Sequence, residues 1–256
     1  MSVALIPTYS APGIVCDAAD FDGSNDYVLF PSSGGSSITT AATISFWFYS
    51  DQTQGGTVIH SGNSAAGGHN RIKISVGDSA QDGDLFILAF ELGSADVIFN
   101  FRTTATSADG WHHFLFSIDH NNSDVRHIWI DDVDASDSDT YNDGQAWSFL
   151  VDQDCAVGAE AYNTLGDNKY KGGLAELWIG NVYLDLSKVH NRRKFITADG
   201  KPVHLGSDGS LPGTSPITYL HLDDSETAAN FATNSGSGQN GSVTGALSTF
   251  GSSPSD

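Results

Sequence analysis

One pattern restarts along most of this chain. From Val15 to Ile179, runs of five to eight residues rich in β-branched and aromatic side chains alternate in period two, and each run stops at a polar loop. That period matches a strand with one buried face, because successive side chains point to opposite sides of a pleated backbone. The runs lie at 26–30, 43–49, 57–60, 71–76, 84–90, 96–101, 111–118, 125–130, 155–158, 170–179 and 181–184. Asp22-Gly23, Asp82-Gly83, Asp109-Gly110 and Asp143-Gly144 each place a glycine after an acidic turn former, a strong short-range turn signal. Many short strands without intervening helices predict an all-β chain: a two-sheet antiparallel jelly-roll sandwich.

Composition supports this reading. Only 16% of residues are charged, too few for the surface of a helix-rich protein, so Ser, Thr, Asn, Gly and Asp must cover the outside. The formal net charge of -20 comes mainly from aspartate, the glutamates being Glu91, Glu160, Glu176 and Glu226. Such a field repels polyanions, and the longest basic stretch is Arg192-Arg193-Lys194, so nucleic acid is excluded as a partner. That cluster is expected to be a solvated helix face or a local contact. No run reaches membrane-spanning length, and the first residues lack the basic start and apolar run of a signal peptide. Cys16 and Cys155 are expected to be free buried thiols.

A boundary falls after Leu184. Residues 1–184 form the sandwich; residues 185–256 form an extension containing one short helix at 187–196, capped by Asp185 or Ser187 and stopped at Gly200-Lys201-Pro202, then a strand at 217–222 and a Gly/Ser-rich arm. An arm of that composition orders only by lying on something else. The extension is expected to pack on the sandwich or on a partner.

Five stretches in order carry a family likeness: Phe21-Asp22-Gly23-Ser24-Asn25-Asp26-Tyr27-Val28, Thr43-Ile44-Ser45-Phe46-Trp47-Phe48, Gly110-Trp111-His112-His113-Phe114, Ile128-Trp129-Ile130-Asp131-Asp132, and Tyr170-Lys171-Gly172-Gly173-Leu174-Ala175-Glu176-Leu177-Trp178. Together they resemble laminin-G-like, concanavalin A-like lectin/glucanase domains. The segment from Leu184 to Leu247 resembles the extension carried by laminin-G-like structural proteins of bacteriophages. This second resemblance implies a non-enzymatic virion structural or decoration protein, located in the virion, with capsid or tail proteins as partners and a homo-oligomeric assembly. The lectin resemblance implies the alternative, a carbohydrate-binding module for host-surface glycans.

Catalysis is not expected. Glucanases of this fold use clustered carboxylates; Glu176, between Ala175 and Leu177, has no acidic neighbour, and the five arginines show no sialidase pattern. His112 and His113, adjacent on a strand, point to opposite faces and cannot share a metal. The resemblance implies calcium as the conceivable cofactor, with Asp22, Asn25, Asp26 and Glu176 offering hard oxygen ligands. Ala175 stands where relatives commonly carry Asp, so no metal site is assigned. Alternation turns Trp47, Tyr49, Trp111, Trp129 and Trp178 away from the core. These are the candidate ligand or interface residues. So many aromatics on outer faces call for a cover: a stacked sugar, a neighbouring subunit, or the chain's own 185–256 extension.

Overall fold

The computed structural model describes residues 16–31, 33–50, 56–61, 71–78, 81–90, 97–103, 110–119, 125–135, 139–141, 149–150, 155–160, 168–223 and 226–256. The strands are β1 (Ala19–Asp22), β2 (Tyr27–Leu29), β3 (Ser37–Ile38), β4 (Ala41–Ser50), β5 (Gly56–Ser61), β6 (Arg71–Asp78), β7 (Gln81–Phe90), β8 (Val97–Thr103) and β9 (Gly110–Asp119). They continue with β10 (Val125–Ile130), β11 (Val133–Asp134), β12 (Asp139–Tyr141), β13 (Phe149–Leu150), β14 (Cys155–Val157), β15 (Lys171–Gly180), β16 (Thr218–Leu220), β17 (Ser242–Thr244) and β18 (Ser248–Thr249). The α-helix α1 spans Val189–Arg192, and a 3-10 helix spans Ala228–Ala232.

Two antiparallel sheets make the sandwich. The first runs β11-β10-β9-β4-β15-β1-β18, with β16 also pairing β15; the second runs β12-β8-β7-β6-β5-β14-β2-β17. Between them Ile44, Phe46, Phe48, Phe114, Phe116, Ile128 and Leu177 of the first sheet meet Val28, Ile59, Ile72, Ile74 and Val157 of the second in one core. Phe46 lies 4.9 Å from Phe114 between ring centroids. The inward side chains are those the alternation selects, with one phase change. Leu174 and Leu177 both face the core although three positions apart, and the β15–β4 register shifts between Ala175 and Trp178. Glu176, at φ +52°, absorbs the extra residue as a β-bulge.

Several expectations are corrected. The stretch 181–184 is not a strand: Val182 offers its carbonyl to Thr43 Oγ1 at 2.7 Å, and the Leu184 N–H donates to Ser117 Oγ at 2.8 Å, so side chains replace the ladder. The helix is four residues rather than ten, and its N-cap is Lys188, without a side-chain cap. Asp185 acts one turn earlier, accepting the Ser187 N–H at 3.0 Å. Ile196 ends the turn by bridging to Pro202. Asp82-Gly83 falls inside β7, because β6 and β7 pair from Asp78 and Gln81 onward. Asp109, Asp143-Gly144 and Trp147 lie outside the described residues.

The C-terminal segment is woven into both sheets. β17 pairs with β2 at the edge of the second sheet, and β18 pairs with β1 at the edge of the first. Phe231 of the 3-10 helix is fully buried in the main core, 6.2 Å edge-on to Phe21. Cys16 and Cys155 are buried and unbridged. Among the described residues, no helix is long and apolar enough to cross a membrane.

Candidate functional site

The outer face of the first sheet carries the candidate aromatics, and the segment after Gly180 lies across it. Trp178, 0% exposed, packs with Leu115, Leu184, Leu186, Phe195, Leu205 and Tyr219, and its indole N–H donates to Gly209 O at 2.9 Å. Trp47, 3% exposed, sits with Cys16, Ala18, Ala175 and Ile196. Neither ring offers a face to a sugar or a neighbouring chain. Trp129 is half-buried with the Arg192 guanidinium 3.7 Å above its ring. Arg192 and Arg193 clamp Asp132 from Nε to Oδ1 at 2.6 Å and from Nη2 to Oδ2 at 2.7 Å; the basic cluster is thus a local contact. Tyr49 and Trp111, also half-buried, pair edge-on at 5.7 Å at the sheet rim, where Phe250 packs on both and Ser252 Oγ accepts the Trp111 N–H at 3.1 Å.

The histidines divide between the faces. His112 lies beside Phe48 on the core side and His113 beside Trp47 on the outer side. Asp131 holds both, with Oδ2 2.7 Å from His112 Nδ1 and Oδ1 accepting the His113 N–H at 2.7 Å. His113 Nε2 lies 2.9 Å from Ser45 Oγ, and burial pushes its imidazole down to about 4. This Ser–His pair is buried beneath the extension, out of reach of any substrate.

The calcium candidates serve other ends. Asp22 Oδ1 accepts the N–H groups of Ser24 at 2.7 Å, Asn25 at 3.0 Å and Asp26 at 3.3 Å, which close the β1–β2 turn and lower the carboxyl's pKa. Buried Asp26 accepts the Ala246 N–H at 2.7 Å, pinning the C-terminal segment. Gly245 permits this approach: at φ +84°, a Cβ there would lie 2.1 Å from Asp26 Oδ1. Glu176 Oε2 accepts the Tyr219 hydroxyl at 2.7 Å, and burial pushes its carboxyl up to about 7. Asp22 pairs with Lys171, five residues from Glu176 along β15 and roughly 16 Å away in an extended strand, so the four do not converge. Among the described residues, no group of three or more His, Cys, Asp or Glu side chains could hold a metal ion.

A cleft of about 260 Å³ opens in the C-terminal segment beyond β16. Asp223, Glu226 and His221 line it, with the amide of Asn230. Hydroxyls of Ser207, Thr233 and Ser235 complete the wall. Its frame is fixed from below. Asn234 Oδ1 accepts the Tyr219 N–H at 2.8 Å, and Asn234 Nδ2 donates to Ile217 O and Gln239 O. The His221 ring stacks on Tyr219 at 4.3 Å and 12°. His221 Nε2 meets Ser235 Oγ at 3.1 Å and Nδ1 faces Asp223 Oδ1 at 3.4 Å, while Glu226 Oε2 accepts the Asp223 N–H at 3.2 Å. The result is a set of hydroxyl, amide, imidazole and carboxylate groups, centred on a held imidazole, that can bind a polyhydroxylated molecule. None of these residues stands out in the sequence as a motif; the available signal was Asp223-x-x-Glu226, a turn next to a histidine at a strand end.

A laminin-G-type family model, described as the concanavalin A-like lectin/glucanases superfamily, matches residues 22–190. Among solved structures, the fold is similar to a proposed carbohydrate binding protein from Bacteroides ovatus, with TM-score 0.59 and 16% identity over 94% of this chain and 62% of that one. It is also similar to domains LG4-5 of the mouse laminin alpha1 chain, with TM-score 0.47 and 16% identity over 68% of this chain and 44% of that one. A heptameric SAP-like pentraxin from Limulus polyphemus gives TM-score 0.46 and 11% identity over 72% and 84% of the two chains. The chain therefore spans less than two thirds of the Bacteroides and laminin chains. Among curated protein sequences, none matches significantly. The family match over most of the chain, on the two-sheet sandwich seen here, shows that the protein belongs to the concanavalin A-like lectin/glucanases superfamily.

Proposed function

We propose that this chain is a non-catalytic carbohydrate-binding module. The observation that carries the reading is the polar cleft, whose amide, hydroxyl and carboxylate groups match the hydrogen-bonding needs of a sugar. Two further facts support it. The superfamily is one of lectins and glucanases, and the likeness to the Bacteroides protein covers 94% of this chain, so it extends into the segment that builds the cleft. Against catalysis, Glu176 is sealed by Tyr219 and the Ser45–His113 pair is buried.

The virion role implied by the extension's resemblance is the less supported reading. The apolar residues of the extension, Leu184, Leu186, Phe195, Ile196, Tyr219 and Leu220, are buried within this chain rather than presented to a partner. The test is a glycan array probed with the whole chain, followed by calorimetry on the glycans retained. Saturable binding without release of reducing sugar is expected, with calcium or chelator present. Retention of no glycan overturns the reading, and hydrolysis of a retained one overturns its non-catalytic part.

A further inference from the structure

Resting on that reading, we infer that the cleft beyond β16 selects an uncharged sugar residue and rejects acidic sugars. The argument is one of charge and size. Among the described residues, the wall carries two carboxylates, Asp223 and Glu226, and no Lys or Arg. Recognition of a sialic acid carboxylate or a sugar sulfate needs a guanidinium, an ammonium or converging backbone N–H groups to replace the water the anion loses. Here the anion would instead enter beside fixed negative charge, on a protein of formal net charge -20.

For a neutral sugar the same groups are assets. A carboxylate accepts from two hydroxyls at once. The Asp223 side chain is 72% exposed and so free to meet a ligand, while His221, 9% exposed, steadies it through Nδ1. Tyr219 stacks on the imidazole face and Ser235 meets Nε2, so Asp223 faces a ring positioned from two sides. The Asn230 amide can donate and accept, and the hydroxyls of Ser207 and Thr233 do both. At about 260 Å³ the cleft falls below the roughly 300–1,000 Å³ of pockets for drug-sized ligands. It fits one terminal hexose rather than a length of polysaccharide. The site lies beyond residue 190, outside the segment the family model matches.

The experiment is calorimetry on the full chain with paired oligosaccharides that differ only by a terminal sialic acid or a sulfate, repeated on Asp223→Asn and Asn230→Ala. Neutral members are expected to bind at least tenfold more tightly than their acidic counterparts. Asp223→Asn, an isosteric change at an exposed side chain, should weaken neutral binding at least fivefold and narrow the gap to the acidic partner; Asn230→Ala should weaken neutral binding with the gap intact. Equal or tighter binding of the acidic member overturns the selectivity. Neutral binding unchanged in both variants, with unchanged melting temperature, places the sugar elsewhere and overturns the site while leaving the broader reading standing. Failure of the unmodified chain to bind any member overturns both.

Discussion

At Glu176 the backbone turns to φ +52° and places a carboxyl under the C-terminal segment, where the Tyr219 hydroxyl is its partner at 2.7 Å. Burial pushes its pKa up to about 7 from an ordinary 4.5. Between those values the folded protein keeps a proton that the unfolded chain has released. The stability tied to this group is therefore full below about pH 4.5 and is lost as pH rises through 7. The penalty at pH 7 is on the order of 3 kcal/mol. His113 pulls the other way: buried and held down to about 4, it costs stability as pH falls from 6.5 through 4. Glu176→Gln keeps an oxygen for Tyr219 and removes the charge. It should raise the melting temperature at pH 7 and above, leave it nearly unchanged at pH 5, and move the stability maximum to higher pH. Melting curves from pH 4 to 9 read this directly. A variant whose pH profile matches the parent's would show that Glu176 ionises without strain.

The hairpin of β10 and β11 shows how a short element locks a larger one. Asp131 at φ +51° and Asp132 at φ +62° form a two-residue turn between Ile130 and Val133, the positive-φ geometry that matches strand twist. Asp131 reaches back to both histidines of β9, and Asp132 reaches out to Arg192 and Arg193, so one turn ties the sheet to α1. Asp132→Asn keeps a residue that tolerates positive φ but removes the charge between two guanidiniums, and it should cost roughly 1–3 kcal/mol by urea unfolding. A loss under a few tenths would mean that water serves the arginines equally well. This link was only half legible in the sequence. Alternation at Ile44, Phe46 and Phe48 reads the inner face directly, and turning Trp47 and Trp178 outward was right because packing obeys the same period of two. Two features broke local rules. Ser242-Val243-Thr244 carries one apolar residue in a Gly/Ser stretch, and its pairing with β2 depends on backbone groups that no side-chain pattern announces. The cleft draws on positions from Ser207 to Ser235, brought together by Asn234 and by stacking on Tyr219, a proximity that exists only after the chain has folded back on β15.

Taken whole, the molecule does not divide at residue 184 into a finished sandwich and an appended arm. One C-terminal segment supplies β16 to the first sheet, Phe231 to the core, β17 to the free edge of the second sheet and β18 to the edge of the first. β17 and β18 thereby become outermost strands, and at three and two residues they present few unpaired backbone groups to a neighbouring sheet. The Leu184–Leu205 stretch covers Trp178. Burying one tryptophan of about 150–250 Å² at ~25 cal/mol per Å² stabilises by roughly 4–6 kcal/mol. That is comparable with the about 5–15 kcal/mol net stability of an ordinary domain. A chain ending at residue 190, where the family match ends, would lack Phe195, Leu205 and Tyr219 over Trp178 and Ile196 over Trp47, leaving both tryptophans partly uncovered. It should therefore show red-shifted tryptophan emission, bind a hydrophobic dye, and either aggregate or unfold without cooperativity, whereas the full chain should unfold in one transition. If the truncated chain is monomeric, dye-silent and cooperative, the sandwich is self-sufficient. The C-terminal segment would then be a removable platform for the cleft rather than part of the fold.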